Sequence, residues 1–267
     1  MRGSDSVLRH DDRMTRFTVR AFTDVGLRRR RNEDAVLVAG WLCQTHDGSL
    51  ATTEFTPDPP FVCAVADGMG GHAGGNLASR VALNVIAEVS PEWRSADDVD
   101  AALHDVNGQV RAVGVETDLE GLGTTVAGLC FLADELIAFN VGDSRIYSIT
   151  DGEVRQLSVD DSIFGTDGRP TNIITQSLGQ PGVVRPHVLR LPLQAASYLM
   201  CSDGVSGMMT DAEFAAAVQP ADLTECATDI IRIVRENGAE DNFSFVIVDV
   251  TPDVTPDVTP DVEEATL

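Results

Sequence analysis

Acidic residues recur where apolar, strand-like stretches begin or end. Three stretches end in an Asp that is followed by Gly or Ser, at Asp67, Asp143 and Asp203. Two more are preceded by a polar pair, Glu33-Asp34 and Asp241-Asn242. A strand end holds a side chain rigidly at the open rim of a sheet, and a following Gly lets the backbone turn sharply there.

Carboxylates that are brought together repel one another, which raises their pKa values unless cations neutralise them. Oxygen ligands without His or Cys beside them suit Mg²⁺ or Mn²⁺ better than Zn²⁺. A single Asp-Gly pair is weak evidence, because this pair is common in turns. Their joint occurrence at five strand ends is much harder to attribute to turns, so the sequence predicts a divalent-cation site.

The elements that must position these carboxylates follow from the apolar periodicity. Strand-like runs occupy residues 17–24, 35–40, 61–67, 124–132, 136–143, 145–150, 198–203 and 243–250. Helical patterns occupy residues 76–89, 95–112, 210–218 and 222–237. Short links predict hairpins at 124–141 and 145–158, the second turning at Asp151-Gly152. Strands and helices do not alternate regularly, so we expect an α+β fold of two packed antiparallel β-sheets flanked by helix pairs, an α-β-β-α sandwich.

The composition excludes several classes of function. The net charge is −23, which disfavours nucleic acid and anionic membranes as partners, although a solvated acidic surface is the simpler explanation of the charge. The chain has no Lys, so neither a Gly-Lys-Ser/Thr phosphate loop nor a Schiff base is available. Five Cys without a CxxC pair argue against a zinc site and against a disulfide framework. The Cys226-to-Arg232 spacing of a thiol phosphatase falls inside a helical pattern that lacks a glycine turn.

The chain divides into three parts. Residues 1–14 are expected to be a flexible leader, residues 15–250 a catalytic domain, and residues 251–267 a disordered tail with three TPDV repeats. The tail could also serve as a tether or docking segment. Neither a signal peptide nor a membrane-spanning run is visible, so we expect a cytoplasmic location.

Six stretches of the chain together resemble a known family. They are TDVGLRRRRNEDA (23–35), ADGMGGHAGG (66–75), GLGTTVAG (121–128), VGDSRIY (141–147), LMCSDGVSGMMTDAE (199–213) and EDNFSFVIV (240–248). They resemble the bacterial metal-dependent Ser/Thr protein phosphatases of the protein phosphatase 2C (PPM) family, in the family's order and over roughly residues 17–250. The resemblance implies the same sandwich, with metals at one end.

The resemblance also implies a metal-binding role for each matched carboxylate. Asp67 would bridge two cations, Asp203 and Asp241 would complete the ligands of the first, and the Gly68 carbonyl would bind the second. Asp143, together with Asp203, would hold a third and weaker cation. The expected cofactors are therefore two or three Mn²⁺ or Mg²⁺ ions per chain.

Five further residues receive roles around these cations. Glu33, Asp34 and Asn242 would position metal-bound waters, and Arg29 occupies the phosphate-binding position of the family. His72 is the candidate general acid for the leaving alkoxide, and its alternative role is a loop histidine that hydrogen-bonds the backbone.

The implied reaction is hydrolysis of phosphoserine and phosphothreonine on proteins. A metal-bridged hydroxide would attack phosphorus in line, while Arg29 and the cations offset the phosphoryl charge. The expected partners are phosphorylated proteins, among them a bacterial Ser/Thr kinase that the enzyme opposes or the substrates of that kinase. The enzyme would act in signalling, and we expect it to be a monomer. Two alternatives stay open, a catalytically weak phosphoprotein-binding regulator with the same fold and a two-metal hydrolase of small phosphate esters.

Two segments depart from the family pattern, and a run of four arginines has a competing interpretation. Residues 41–60 form a long link that we expect to be a surface loop on the site's side of the sheet. The flap, residues 159–179, looks short and carries Asp160-Asp161 where Asp-His is common, so substrate choice is the property most affected. In the run Arg28–Arg31 only Arg29 has an assigned role, and the others are solvated, attract phosphopeptides, or form a basic patch for polyanions.

Overall fold

The secondary structure is that of a computed structural model, which describes residues 15–45, 48, 51–55, 60–70, 74–119, 121–165, 170–219 and 222–252. Its strands are β1 (Thr15–Asp24), β2 (Asp34–Val38), β3 (Trp41–Cys43), β4 (Ala51–Phe55), β5 (Phe61–Met69), β6 (Gly123–Thr124), β7 (Val126–Phe131), β8 (Glu135–Val141), β9 (Arg145–Thr150), β10 (Glu153–Gln156), β11 (Ser162–Phe164), β12 (Pro170–Ile174), β13 (His187–Pro192), β14 (Ala196–Cys201) and β15 (Phe243–Pro252). Its α-helices are α1 (Gly75–Val89), α2 (Ala96–Glu116), α3 (Asp203–Ser206), α4 (Asp211–Ala217) and α5 (Leu223–Glu236).

Two antiparallel sheets stack face to face. The first has the order β10-β9-β14-β15-β1-β4, and the second has the order β13-β8-β7-β5-β2-β3 with β6 paired to β5. Alternate residues of β1 point into the space between the sheets, where Phe17 lies edge-on to Phe61 and Phe131 at ring distances of 4.8 and 5.1 Å. Burial of these apolar faces is the main force that holds the sheets together.

Helices cover both outer faces. Helices α1 and α2 pack on the second sheet, where Ile86, Leu103 and Trp93 are buried. Helices α4 and α5, with the single turn α3, pack on the first sheet through Phe214 and Ile230. Local signals set the helix starts, since the Ser95 hydroxyl caps α2 and a Thr210–Glu213 capping box begins α4. The predicted α-β-β-α sandwich is confirmed.

Both predicted hairpins are also confirmed. Strands β7 and β8 pair in register, and β9 pairs with β10 across Asp151 and Gly152, which both adopt positive φ angles of 51° and 79°. A small separate hairpin of β11 and β12 lies within the flap. Within the described residues, no helix is long and apolar enough to cross a membrane.

The expectation that residues 41–60 form only a surface loop is wrong in part. Strand β3 extends the second sheet beside β2, and β4 extends the first sheet beside β1. Two residues after the end of β3, the Thr45 carbonyl accepts a hydrogen bond from the side-chain amide of Asn32 at the site's end of the sheet. The last strand also runs to Pro252, two residues beyond the expected end of the domain. The expected leader and residues 253–267 of the expected tail lie outside the described residues.

Candidate active site

The predicted carboxylates lie at one end of the sandwich. Asp34 and Asp67 are direct cross-strand partners at the ends of β2 and β5. Asp203 begins α3 two residues after the end of β14, and Asp241 stands two residues before β15, the strand that pairs with β14. Asp143 follows β8 in a tight turn, and its charge interacts with that of Asp203. Five carboxylates from separate strands are thereby brought to one rim.

The backbone around Gly68 is closely packed. The Gly68 amide donates to the Glu33 carbonyl at 3.2 Å, and the Ser79 hydroxyl of α1 donates to the same oxygen at 2.6 Å. A Cβ at position 68 would stand 2.0 Å from the Gly75 carbonyl oxygen, so only glycine fits here. The carbonyl that is predicted to bind a cation thus belongs to a rigid crossing of β2, β5 and α1.

Asn242 organises the loop that carries Arg29 and Glu33. Its side-chain amide donates to the carbonyls of Val25 and Arg31 at 2.9 and 2.8 Å, and its oxygen accepts from the Glu33 amide at 2.8 Å. The polar atoms of this side chain therefore hydrogen-bond to backbone groups, and these bonds fix the loop beside the cluster. Its predicted role in positioning water stays a prediction.

Asp34 is fully buried, and its surroundings disfavour a negative charge. Burial, and then the charges of Asp203 and Asp241, raise the pKa of Asp34 to about 7, against the opposing effect of hydrogen bonds from Ser202 and Ser244. Its Oδ2 accepts from the Ser202 hydroxyl at 2.8 Å, whereas Oδ1 is buried without a hydrogen-bond partner among the described residues.

The neighbouring carboxylates show the same effects. Burial raises the pKa of Asp67 well above its ordinary value, and the charges of Asp34, Asp203 and Asp241 raise it further. The pKa of Asp203 is raised by burial and by Asp241, and burial with the charge of Asp203 raises the pKa of Asp143 to about 6. The Oδ1 atoms of Asp143 and Asp203 are also buried without a partner in the described part of the chain.

This donor set fits a hard divalent cation. Buried carboxylate oxygens without hydrogen-bond partners carry a desolvation cost that an oxygen-coordinated cation removes. The described residues contain no three His, Cys, Asp or Glu side chains that already stand as a closed metal cage. The cluster therefore has the chemistry of a cation site.

Arg29 lies at the rim of the cluster. Its guanidinium donates to Asp241 Oδ2 at 2.6 Å, and this hydrogen bond raises the pKa of Arg29. The side chain is 55% exposed, so one guanidinium edge can face a ligand from solvent. The structure thus brings the predicted phosphate-binding residue to the predicted metal residues. His72 lies outside the described residues.

A groove of about 760 Å³ opens beside Asp143 and Asp203. One wall comes from the flap side, with Arg145, Asp160 and Thr171, and the other from the segment between α3 and α4. The Arg145 guanidinium makes a two-pronged contact with Asp160 at 2.9 and 2.7 Å, which sequence reasoning missed although both residues lie in stretches it had singled out. The groove falls within the size range of ligand-binding clefts in proteins.

Comparison with known proteins decides the family. The family model described as Protein phosphatase 2C matches residues 43–244, which is well over half of the chain. This chain belongs to the protein phosphatase 2C family. The carboxylate cluster of this family member therefore lies within the matched segment, apart from Glu33 and Asp34, which precede it.

Curated relatives carry the names of protein phosphatases. Serine/threonine protein phosphatase PstP of Mycobacterium tuberculosis is 32% identical over 247 residues, which cover 86% of this chain and 44% of the relative. The chain thus spans less than half of that relative's length. Protein phosphatase PhpP of Streptococcus pneumoniae is 29% identical, with 85% of this chain and 95% of the relative covered.

Solved structures of the family share the fold. The PstP catalytic domain in complex with two manganese ions superposes with a TM-score of 0.72 at 30% identity, covering 89% of this chain and 99% of that one. The Streptococcus agalactiae serine/threonine phosphatase superposes with a TM-score of 0.74 at 25% identity, covering 88% and 100%.

Proposed function

We propose that this phosphatase 2C family member hydrolyses phosphoserine and phosphothreonine on proteins. One observation carries the proposal: buried carboxylate oxygens without partners converge with Arg29 at the mouth of an open groove. Carboxylates with raised pKa values at a cleft are a common mark of a functional site. The names of the bacterial relatives give the substrate class further support.

The cations would be held by the residues that the sequence predicts. Asp67, Asp203 and Asp241, with the Gly68 carbonyl, would hold two, and Asp143 with Asp203 would hold a third. When bound, the cations supply an acidified water as nucleophile and neutralise charge on the phosphoryl group. The manganese ions of the PstP catalytic domain favour Mn²⁺ here, with Mg²⁺ as the alternative.

The chain's own residues bind and orient the substrate. Arg29 would donate two parallel hydrogen bonds to phosphoryl oxygens, which its planar guanidinium suits. Glu33 and Asp34 would accept hydrogen bonds from the water at the cluster, and His72 would donate the proton that the leaving alkoxide takes up. The groove beside Asp143 would receive the residues next to the phosphorylated one. No protein nucleophile is required, so we expect no phosphoenzyme.

The biological setting is inferred from the reaction. A phosphatase with this substrate class opposes a Ser/Thr kinase, so we propose phosphoproteins and such a kinase or its substrates as partners. A hydrolase of small phosphate esters is the second candidate, because the rim of the cluster is open to solvent and could accept a small ester.

The first prediction concerns Asp203. We expect phosphate release from a phosphothreonine peptide in Mn²⁺ or Mg²⁺ and none in excess EDTA. Asp203→Asn should lower this activity at least about 100-fold. Loss of a metal ligand should cost more than the roughly 10- to 100-fold that is typical when a residue supporting a ligand is lost. Asp249→Asn is the matched control, since Asp249 accepts hydrogen bonds from Ser197 and Thr251 at the ends of β14 and β15 that lie away from the rim.

The outcomes separate the candidates. Metal-dependent turnover of nucleotides or aryl phosphates without turnover of the peptide would favour the small-ester hydrolase. Absence of turnover with either cation, from folded chain, would favour the phosphoprotein-binding alternative.

A further inference from the structure

The carboxylate of Asp161 joins three segments of chain beside Asp143. Its Oδ2 accepts from the Gly142 amide at 2.9 Å and from the Gln176 side-chain amide at 2.7 Å. Its Oδ1 lies 2.8 Å from His187 Nε2, at the start of β13. We call Asp161 with Gly142, Gln176 and His187 the Asp161 clasp.

The clasp holds the turn that carries Asp143. Gly142 has a φ of 100°, and a Cβ there would stand 2.6 Å from Thr125 Cγ2, so the turn needs glycine and packs tightly on one side. On that side, the Thr125 and Ser144 hydroxyls are 2.7 Å apart, and Thr125 Oγ1 accepts from the Asp67 amide. On the other side, the backbones of Gly142 and Asp161 add a second bond, from the Asp161 amide to the Gly142 carbonyl.

The clasp also holds both ends of the hairpin β11–β12. Asp161 directly precedes β11, and its carbonyl accepts from the Thr175 amide at 2.7 Å, directly after β12. Gln176 extends the link, because its amide also donates to the Arg185 carbonyl and its oxygen accepts from the Arg185 amide. The carboxylate and the backbone of Asp161 together therefore fix the hairpin against the turn that carries Asp143.

The burial of the contacts distinguishes the clasp from an ordinary surface ion pair. The Asp161 side chain is 11% exposed and that of His187 is 35% exposed. A carboxylate that accepts several hydrogen bonds in a sheltered place contributes more than the exposed pairs that are worth little. Thr171 of β12 and Asp143 line the same groove, so a shift of the hairpin would change the groove at the cluster.

We propose that Asp161 is a positioning residue for the reaction on phosphopeptides, an inference that rests on the proposed function. Its carboxylate sets the wall of the groove and the turn of Asp143 in one arrangement. A peptide, which must lie in the groove, requires this arrangement, whereas a small aryl phosphate at the rim requires it less.

The experiment uses the full-length chain and two readouts. In Asp161→Ala we expect amide hydrogen exchange of Gly142, followed by NMR, to become about tenfold faster, because its acceptor is lost. We expect kcat/KM for a phosphothreonine peptide to fall about tenfold, mainly through KM, and that for para-nitrophenyl phosphate to fall less than about threefold. His187→Ala should lower kcat/KM for the peptide by a smaller factor. His187→Gln should keep most of the activity that His187→Ala loses, because Gln supplies a hydrogen-bond donor to Asp161.

Controls keep the proposal open to refutation. Asp249→Ala removes a hydrogen-bonded carboxylate elsewhere and should change neither readout. If Asp161→Ala does not fold, Asp161→Asn removes one acceptor without changing the side-chain size. Unchanged exchange at Gly142, or equal losses on peptide and aryl phosphate, would overturn the proposal. A wild-type chain that hydrolyses neither substrate would remove the proposed function, while the Gly142 exchange would still report whether the clasp holds the turn.

Discussion

At Asp34, burial and two neighbouring charges both raise the pKa of the carboxyl. The side chain is completely enclosed, and the carboxylates of Asp203 and Asp241 add repulsion to the cost of desolvation. Without a cation, the folded chain therefore retains a proton on Asp34 at pH values where the unfolded chain has lost it. Stability and cation binding are thus coupled at this residue.

We expect the metal-free chain to lose stability as the pH rises. A carboxyl whose pKa is about 7 when folded and 3.8 when unfolded stabilises the fold fully below about pH 4, and this contribution is lost as the pH rises through about 7. Asp34→Asn keeps an oxygen that can accept from Ser202. It should make the free energy of unfolding fall less steeply with rising pH and should raise it at pH 8 by about 2 kcal/mol.

Denaturant unfolding in EDTA at several pH values measures this effect. Added Mn²⁺ should stabilise the wild-type chain more at pH 8 than at pH 5, because protons then compete less for the carboxylates. Identical pH slopes for the wild type and Asp34→Asn would show that Asp34 does not carry the effect.

At the scale of elements, the crossing of β2, β5 and α1 sets the position of the rim. Gly68 and Gly75 face each other there with their backbones in contact, and Ser79 adds a hydrogen bond from the helix. The packing leaves no room for a side chain, so this crossing joins the stability of the fold to the geometry of the site.

Gly68→Ala should destabilise the chain by about 3 kcal/mol, because its Cβ meets backbone that cannot rotate away. Gly108→Ala is the control, since position 108 lies within α2 with nothing within 4 Å of an added Cβ. That change should stabilise the chain by up to about 1 kcal/mol through helix propensity. Chemical denaturation compares the two, and equal effects would contradict the close packing at Gly68.

Elements whose own sequence carries an apolar run or an amphipathic stripe were predictable. Strands that are stabilised mainly by pairing with a neighbouring strand were not. The strands before Asp67 and Asp203 carry apolar runs, and α5 carries a clear amphipathic stripe. Strand β4 was missed because its sequence, ATTEF, is mostly polar and its pairing with β1 supplies the stability. The carboxylate cluster was predictable because each member has its own short motif.

The clasp lacked such a signal. Asp161 and His187 are 26 residues apart, and neither stands in a motif that predicts the other. The departure at Asp160-Asp161 marked the place, but only the fold brings β13 against it. The contact is a consequence of sheet order, in which β13 pairs with β8, the strand that leads to Asp143.

At the scale of the whole molecule, the charge distribution is uneven. The net charge of −23 repels a phosphopeptide in general, while Arg28–Arg31 form an exposed run of positive charge beside Asp241. Charges of one sign near a cleft raise the local concentration of an oppositely charged substrate. The run could therefore attract substrate to a protein that otherwise repels it.

We expect the double variant Arg28→Ala/Arg30→Ala to raise KM for an acidic phosphopeptide about fivefold at low salt, with little change in kcat. The effect should shrink at about 0.5 M salt, where screening shortens the range of the field. Arg16→Ala, at the end of β1 away from the rim, is the control, and it removes one positive charge where the double variant removes two. A rise in kcat/KM, or the same effect from Arg16→Ala, would exclude local attraction.

The pairing of β1 with β15 has a geometric consequence. Thr15 lies opposite Pro252, and Asp24 lies opposite Phe243, so the carboxylate rim is at one pole and the two outer strand ends meet at the other. Fusion partners or surface linkages attached at this far pole would leave the carboxylate rim facing outward. The same adjacency means that a short bridge between Thr15 and Pro252 would join β1 and β15 without crossing the rim.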